Sequence, residues 1–379
     1  MNESISLPVR PRVPRYFYVL PMAADKILFK TAGKVVSMRG KTAATLLPKL
    51  LPLLNGQHTI PEIVSILQEF GPENITRALE LMNNKELLED AALESPELSG
   101  TDLYVDQIAF FSHFTHNGFK TQLALQDARV ALIGLGAIGA TVLNALAIAG
   151  VGYIAGVDEA RIQSRDCAGS TFYSLDDIGR LRCEAAQERM KRFSTICFQS
   201  LPNPIQDARH VEEAIQDCGL VIVCAEDTPS LLLRWANQAC LTRGIPWTSG
   251  CLDGSVGMVG PSIIPHQTPC YECYWLRMKG NLEHHEEFIA FEKYLEQHGT
   301  RSDHFYGSLI PLPSVIGSLA ALEAIKILTR FASPTLYGRL YEIDFLTLRA
   351  ELHEILKLPR CPACGVTRRT PAVKPWSEQ

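Results

Sequence analysis

Two groups of residues have the types and spacing that chemistry needs. Cys270-Tyr271-Glu272-Cys273 and Cys361-Pro362-Ala363-Cys364 each put two thiolates on one tight turn. Two such turns complete a tetrahedral sulfur shell for zinc. Four protein ligands leave no open position on the metal, so the expected Zn2+ is structural and ties the C-terminus to the domain that carries Cys270. A redox pair is the lesser alternative, because neither CxxC stands at the strand-to-helix start of a thioredoxin-like unit. The second group is Gly134-Leu135-Gly136-Ala137-Ile138-Gly139 with Asp158. Glycines at 134, 136 and 139 let a backbone turn tightly and approach a pyrophosphate at a helix N-terminus. Asp158 ends the next strand about 20 residues on, where an acid can accept hydrogen bonds from ribose hydroxyls.

The elements that must position these groups are legible in the hydrophobic pattern. Arg129–Ile133 reads as a buried strand, Ala137–Ala149 as an apolar helix and Tyr153–Val157 as a second strand. Helix and strand then alternate through Asp177–Phe193, Ile196–Gln199, Val211–Asp217, Leu220–Cys224 and Leu231–Arg243, the pattern of a mainly parallel sheet wrapped by helices. Beyond Val256 come a charged stretch (Lys279–His304), an apolar helix (Ser314–Phe331) and a final hairpin (Tyr337–Arg349). The expected fold class is α/β, a Rossmann-like mainly parallel sheet with structural zinc, preceded by a smaller N-terminal domain.

That smaller domain, residues 1–93, reads as winged-helix-like. Short strands at Tyr16–Leu20, Ile27–Phe29 and Val35–Met38 precede helical patterns at Thr42–Leu54, Thr59–Phe70 and Asn74–Asn83. Thr59 and Glu62 have capping-box spacing, with Pro61 in the first turn. Residues 94–103 form a polar, turn-rich linker, 104–365 the nucleotide domain and 366–379 a tail.

Bulk properties narrow the class. The chain has 379 residues, 46% hydrophobic and 20% charged, enough for two or three ordinary cores. Its net charge of −5 argues against a general nucleic-acid binder. The third helix of the N-terminal block, Asn74–Asn83, carries only Arg77 as a base, which disfavours a DNA-reading winged helix. Ala128–Val157 is apolar but punctuated by glycines, so it reads as strand–helix–strand and not as a membrane span. No signal peptide is read in Met1–Arg15, and with eleven cysteines, an odd count, a cytoplasmic protein with reduced thiols is expected. Cys183, Cys197, Cys218, Cys224, Cys240 and Cys251 fall in or beside core elements, where buried cysteine is ordinary. Cys167 lies in a loop after Asp158.

The combination of glycine loop, strand-ending Asp158, Asp227 after a later strand and split CxxC…CxxC resembles the ThiF/MoeB family of ubiquitin-activating-like adenylating proteins, from about Tyr104 to Gly365. Asp177-Ile178-Gly179-Arg180-Leu181-Arg182 is similar to the family's D-(V/I)-G-x-x-K segment, with Arg182 in place of lysine. Met258–Pro261 leading to Pro269–Cys273 is similar to the branch that modifies ribosomally made peptides, of MccB and PaaA type. Leu358–Cys364 is similar to the tail of ThiF-like leader-binding partners of YcaO cyclodehydratases.

The resemblance implies ATP and Mg2+ chemistry. Asp227 would hold Mg2+, Arg182 would stabilise phosphate charge, Asp158 would hold the ribose, and Arg165 and Asn237 would complete the nucleotide site. It also implies that the N-terminal domain binds the leader of a precursor peptide as an added strand along Lys34–Met38, facing the helix Asn74–Asn83. A homodimer is the family expectation. Two segments depart from the family. Leu103-Tyr104-Val105-Asp106-Gln107 lacks both arginines of an R-x-x-R-Q segment, and Gly169 stands where a phosphate-contacting arginine would be. Three functions therefore stay open: an adenylating enzyme acting on a peptide carboxylate or amide in peptide-antibiotic biosynthesis, a non-adenylating leader-binding scaffold for a YcaO-type partner, and a sulfur-carrier-protein adenylyltransferase.

Overall fold

The computed structural model describes residues 7–23, 25–31, 33–93, 101–115, 117–193, 195–224, 229–298 and 309–365. The chain divides into two compact units between Leu123 and Ala124.

In the first unit β1 (Pro11–Arg12) pairs antiparallel with β5 (Glu89–Asp90), and β2 (Tyr18–Ala23), β3 (Lys26–Lys30) and β4 (Val35–Arg39) form an antiparallel sheet in that order. The turn before β4 is closed by the Thr31 hydroxyl, which accepts the N–H groups of Gly33 and Lys34. The expected helix over 42–54 is broken into α1 (Lys41–Thr45), α2 (Leu47–Leu50) and a 3-10 turn over 51–53. Pro48 and Pro52 explain the break, since each lacks the N–H that a continuous helix would use. α3 (Ile60–Ile66) opens with the expected capping box, in which Thr59 N–H donates to Glu62 at 2.7 Å. α4 (Pro72–Asn84) turns Ile75, Ala78, Leu79 and Met82 inward at helical spacing. With Phe29, Leu47, Leu50 and Ile63 they form one core. α5 (Val105–Ser112) clusters with this unit, where the Tyr16 hydroxyl donates to Ser112 O at 3.1 Å. The division between the units falls inside α6 (Gly118–Gln126).

The second unit is built on an eight-stranded sheet. Its strands are β6 (Arg129–Ile133), β7 (Tyr153–Val157), β8 (Cys197–Leu201), β9 (Leu220–Val223), β10 (Trp247–Asp253), β11 (Val256–Val259), β12 (Arg339–Asp344) and β13 (Arg349–Glu354). Their order is β13-β12-β11-β10-β9-β6-β7-β8, with β10 through β8 parallel and β11 to β13 antiparallel. The central strands are continuous apolar runs, as a sheet covered on both faces requires.

The helices are α7 (Ala137–Ile148), α8 (Ser164–Gly169), α9 (Arg182–Met190), α10 (Ala208–Ala214), α11 (Pro229–Arg243), α12 (Tyr271–Gly280), α13 (His285–His298) and α14 (Pro311–Thr329). The helix expected over 177–193 begins only at Arg182, because Asp177 closes a 3-10 turn and Gly179 takes a φ of +88°. α14 is long and apolar enough to cross a bilayer, but it lays Ile316, Gly317, Ala320 and Ala324 into the core. Gly317 permits the contact with α7: a Cβ there would lie 2.7 Å from Thr141 Cβ.

Candidate functional site

In the parallel part of the sheet, β7 follows β6 on one side and β9 lies on the other. The topological switch point therefore falls between β6 and β9, where open α/β sheets form a crevice at the carboxyl ends of the strands. The glycine loop occupies this place. Gly134 takes a φ of +89°, its N–H donates to Val157 O at 2.9 Å, and Gly136 is the residue before α7. Gly139 is a contact glycine: a Cβ would stand 1.9 Å from Gly134 O, so any side chain would push the helix off the loop. Cys224, at the end of β9, lies against the same glycine. Asp227 follows Cys224 by three positions and lies outside the described residues.

Asp158 stands where the motif puts it, and its carboxylate is already engaged. Oδ2 accepts the Leu135 N–H at 2.7 Å, Oδ1 accepts the Ala160 N–H at 2.8 Å, and Arg182 Nη1 lies 3.4 Å from Oδ2. Arg182, at the start of α9, is buried and donates through Nη2 to Asp166 Oδ1 at 2.7 Å. Two residues that the motif reading passes over thus complete the site. Asp166 accepts from Gln163 N–H and Arg182 together, and the buried Tyr173 hydroxyl donates to Leu135 O at 2.7 Å, bracing the loop from behind. The Gln163-x-x-Asp166 spacing of a capping box is the sequence signal for the first; nothing local signals the second.

The remaining predicted residues lie on α8 and α11. Arg165 is exposed on α8. Gly169 ends that helix, and a Cβ there would lie 3.8 Å from Ala137 Cβ, beside the first turn of α7. Asn237 is buried on α11, and its Oδ1 accepts the Tyr271 N–H at 2.9 Å, satisfying the first free donor of α12. Of the cysteines expected in the core, Cys197 is exposed at the start of β8 and Cys251 is half-buried.

Asp177 anchors the segment before α9. It accepts from Ser174 N–H at 2.9 Å and from the Ser174 hydroxyl at 2.8 Å, and it pairs with Arg180 and Arg189. Burial pulls its carboxyl up, but the Ser174 and Arg189 hydrogen bonds outweigh that and hold it at about 2. A pKa depressed from 3.8 stabilises the fold above pH 4 and loses that contribution as pH falls toward 2, on the order of 2 kcal/mol in all. Acid unfolding of Asp177→Asn followed by circular dichroism should show a flatter limb between pH 4 and 2. An unchanged limb would reject the assignment.

The four predicted cysteines come together as one cluster. Cys270, Cys273, Cys361 and Cys364 are buried, with all four sulfurs within 4.8 Å of one another. The Sγ–Sγ distances are 3.9 Å for Cys270–Cys273, 3.6 Å for Cys270–Cys361 and 3.5 Å for Cys273–Cys364. A zinc–sulfur bond of about 2.3 Å sets tetrahedral edges of about 3.8 Å, close to these three distances. The Leu358 N–H reaches Cys273 Sγ at 3.4 Å, a donor that favours thiolate. Burial pushes the Cys270 and Cys364 thiols up and acts on Cys361 too, but there the Cys364 and Ala363 N–H groups outweigh it and hold the thiol below its ordinary value. Gly365 has no room for a Cβ, which would meet Cys361 O at 2.4 Å. Around the cluster, α11 holds α12 through Asn237 and through Arg234, which engages both carboxylate oxygens of Glu272 at 3.0 and 3.3 Å. Arg277 of α12 donates to Leu356 O at 2.7 Å and fixes the approach of the second cysteine pair.

A Rossmann-type sheet with its glycine loop at the switch point, and a four-cysteine cluster joining α12 to the C-terminal segment, define the class. Residues 104–366 match the model of the ThiF family, and the chain belongs to that family. It is 28% identical over 247 residues to the molybdopterin-synthase adenylyltransferase of Salmonella typhimurium, covering 65% of this chain and 91% of that protein. It is 27% identical over 252 residues to the sulfur carrier protein adenylyltransferase of Thermus thermophilus, covering 65% and 86%. The crystal structure of E. coli MccB with MccA-N7isoASN superposes with a TM-score of 0.71 at 19% identity, over 94% of this chain and 99% of that one. PaaA superposes with a TM-score of 0.69 at 18% identity, over 90% and 99%. At such identities the structural likeness establishes the fold alone.

Proposed function

We propose that the chain is an ATP- and Mg2+-dependent enzyme that binds the leader of a ribosomal precursor peptide with its first unit and activates a peptide carboxylate or amide by adenylation. One observation carries this reading. The curated adenylyltransferases cited above cover only 65% of the chain, whereas the fold of MccB, seen with its MccA peptide, covers 94% of it. A sulfur-carrier adenylyltransferase has no need of the extra unit. The sheet order supports a peptide role as well. Among the described residues the outer edge of β4 is unpaired. Because Thr31 N–H donates to Lys34 O, Val36 and Met38 turn their backbone groups to β3, while Val35 and Ser37 turn theirs outward. An extended leader adds there as a fourth strand.

For a carboxylate substrate, its oxygen attacks the α-phosphorus of ATP. An O–P bond forms, the bond to the β-phosphate oxygen breaks, and pyrophosphate leaves. An internal amide nitrogen then attacks the acyl carbon: a C–N bond forms, the C–O bond to AMP breaks, and the nitrogen loses its proton to solvent as AMP leaves. In this proposal the N–H groups at the start of α7, above Gly134, Gly136 and Gly139, receive the phosphates. Oδ1 of Asp158 keeps an acceptor site for a ribose hydroxyl beside the Ala160 N–H. Arg182 is shared between the Asp158 and Asp166 carboxylates. Positive field on the phosphates would then come from the α7 terminus, from Arg165 and from the Mg2+ that Asp227 would hold. Arg182 is assigned to holding Asp158 in place. Asn237 supports the cysteine turn, and zinc in the four-cysteine shell pins the C-terminus.

The scaffold reading keeps one specific support: Gly169, whose Cβ would lie 3.8 Å from Ala137 Cβ, puts no side chain of its own beside the first turn of α7. The purified chain, incubated with ATP, Mg2+ and its precursor peptide, separates the two. Peptide-dependent AMP and a change in peptide mass are expected. Tight leader binding with ATP and peptide both unchanged would establish the scaffold instead. Ser37→Pro removes an outward N–H from the β4 edge while leaving the β3 ladder whole, and should weaken leader binding at least about tenfold. Leader binding unaffected by Ser37→Pro would remove the β4 edge from the mechanism.

A further inference from the structure

The first unit also contains a basin that the nucleotide chemistry does not use. It is an open basin of about 460 Å3, lined by Arg10, Arg12, Arg15, Asn55, Gly56 and Gln57. Backbone hydrogen bonds stitch its three walls together: Val13 N–H to Leu54 O at 3.0 Å, Gly56 N–H to Pro11 O at 3.2 Å and Ala91 N–H to Arg10 O at 3.0 Å. Gly56 takes a φ of +80°, and a Cβ there would stand 2.5 Å from Ala91 Cβ, so only glycine lets the walls close.

The charge of this basin runs against that of the chain, which is net −5. Three guanidinium groups line it, and the neighbouring acids are engaged: Glu62, which feels the charge of Arg10, accepts the Thr59 N–H at 2.7 Å. Glu89 pairs with Arg12 Nε at 2.7 Å, and Asp90 accepts the N–H groups of Val9, Arg10 and Ala92 at 2.7, 2.9 and 3.0 Å. Among the described residues the guanidinium groups of Arg10 and Arg15 make no hydrogen bond or ion pair, and both residues are exposed. Like charges that line one basin repel, and an anion between them relieves the repulsion. Guanidinium forks match carboxylates through paired N–H bonds. Among the described residues no aromatic side chain lines the basin, so a nucleobase would lack an aromatic platform.

We propose that this basin is a subsite for the carboxylate side chains of an acidic peptide segment, with Arg10 and Arg15 as its principal donors. The inference rests on the reading of the first unit as a peptide-recognition unit and adds a requirement for acidic residues in what it binds.

The test uses the full chain and fluorescein-labelled hexaglutamate, read by anisotropy at 0.15 M salt, with labelled hexaglutamine as control and inorganic phosphate as competitor. Hexaglutamate should bind at least about tenfold more tightly than hexaglutamine, and R10Q/R15Q should lose most of that difference with an unchanged melting temperature. Equal binding of the two peptides, or equal binding of hexaglutamate by wild type and R10Q/R15Q, would overturn the proposal. So would displacement by inorganic phosphate at concentrations below the hexaglutamate Kd, which would make the basin a phosphate site. The two readings fail separately. If Ser37→Pro abolishes precursor binding while R10Q/R15Q leaves hexaglutamate bound, the carboxylate subsite falls and peptide recognition stands. If R10Q/R15Q abolishes hexaglutamate binding but no precursor peptide is bound by the wild type, the subsite survives and peptide recognition falls.

Discussion

Arg182→Ala should destabilise the second unit by about 3–5 kcal/mol, the range seen when one partner of a buried ion pair is removed. Asp166 would lose its 2.7 Å guanidinium contact, and Asp158 would face the loop with its neighbouring charge gone. The Leu135 N–H that Asp158 holds would loosen with it, so nucleotide binding is expected to fall together with stability. Arg182→Lys should recover only part of the loss, because one ammonium is a point charge that cannot bridge two carboxylates as a planar fork does. Pairing Arg182→Met with Asp166→Asn should recover more, since it removes both members of the tighter pair. Chemical denaturation and nucleotide titration of the three variants check this. Wild-type stability in Arg182→Ala would show that the network is incidental.

Removal of metal is the second large effect. The wild-type chain should contain about one zinc per molecule, and Cys270→Ser or Cys361→Ser should reduce that to near zero. The cluster joins α12 to residues 361–364 and is part of the core that also contains Trp247 and Tyr271. Its loss would free the C-terminal segment and open that core to water. A loss of about 5 kcal/mol in a domain of this size corresponds to a fall in Tm of roughly 10–20 °C. Elemental analysis and calorimetry, with and without a chelator, measure both quantities. A metal-free wild type with the same Tm as the serine variants would exclude a structural ion. AMP formation should decline only as the fold does, because four thiolates leave no position at which the ion could touch substrate.

Much of this architecture is legible locally. Glycine, β-branched and aliphatic runs report their own backbone preferences, so β6, α7 and β7 and the Thr59–Glu62 capping box stand where periodicity puts them. The breaks at Pro48 and Pro52, and the late start of α9 after Gly179, show where a chain-wide pattern yields to one residue's backbone limits. The charged stretch after Lys279 carries α13, whose apolar face is too thin to register without the core it packs against, where Phe288 meets Trp275 with ring centroids 5.3 Å apart.

The sequence by itself determined the two turns of cysteines, the glycine loop and the acid that ends β7, because each is a short-range constraint encoded by residue type and spacing. Only the tertiary structure decided which groups meet. It put Arg182 on Asp158 and Asp166, turned Asn237 toward α12, braced Leu135 with Tyr173, and gathered three arginines around Gly56. Contacts of that kind join residues from 16 to 38 positions apart or more, and no local pattern carries them. They are set by how the sheet and its helices close on one another, and the side chains then find partners in the low-dielectric spaces that the closure creates.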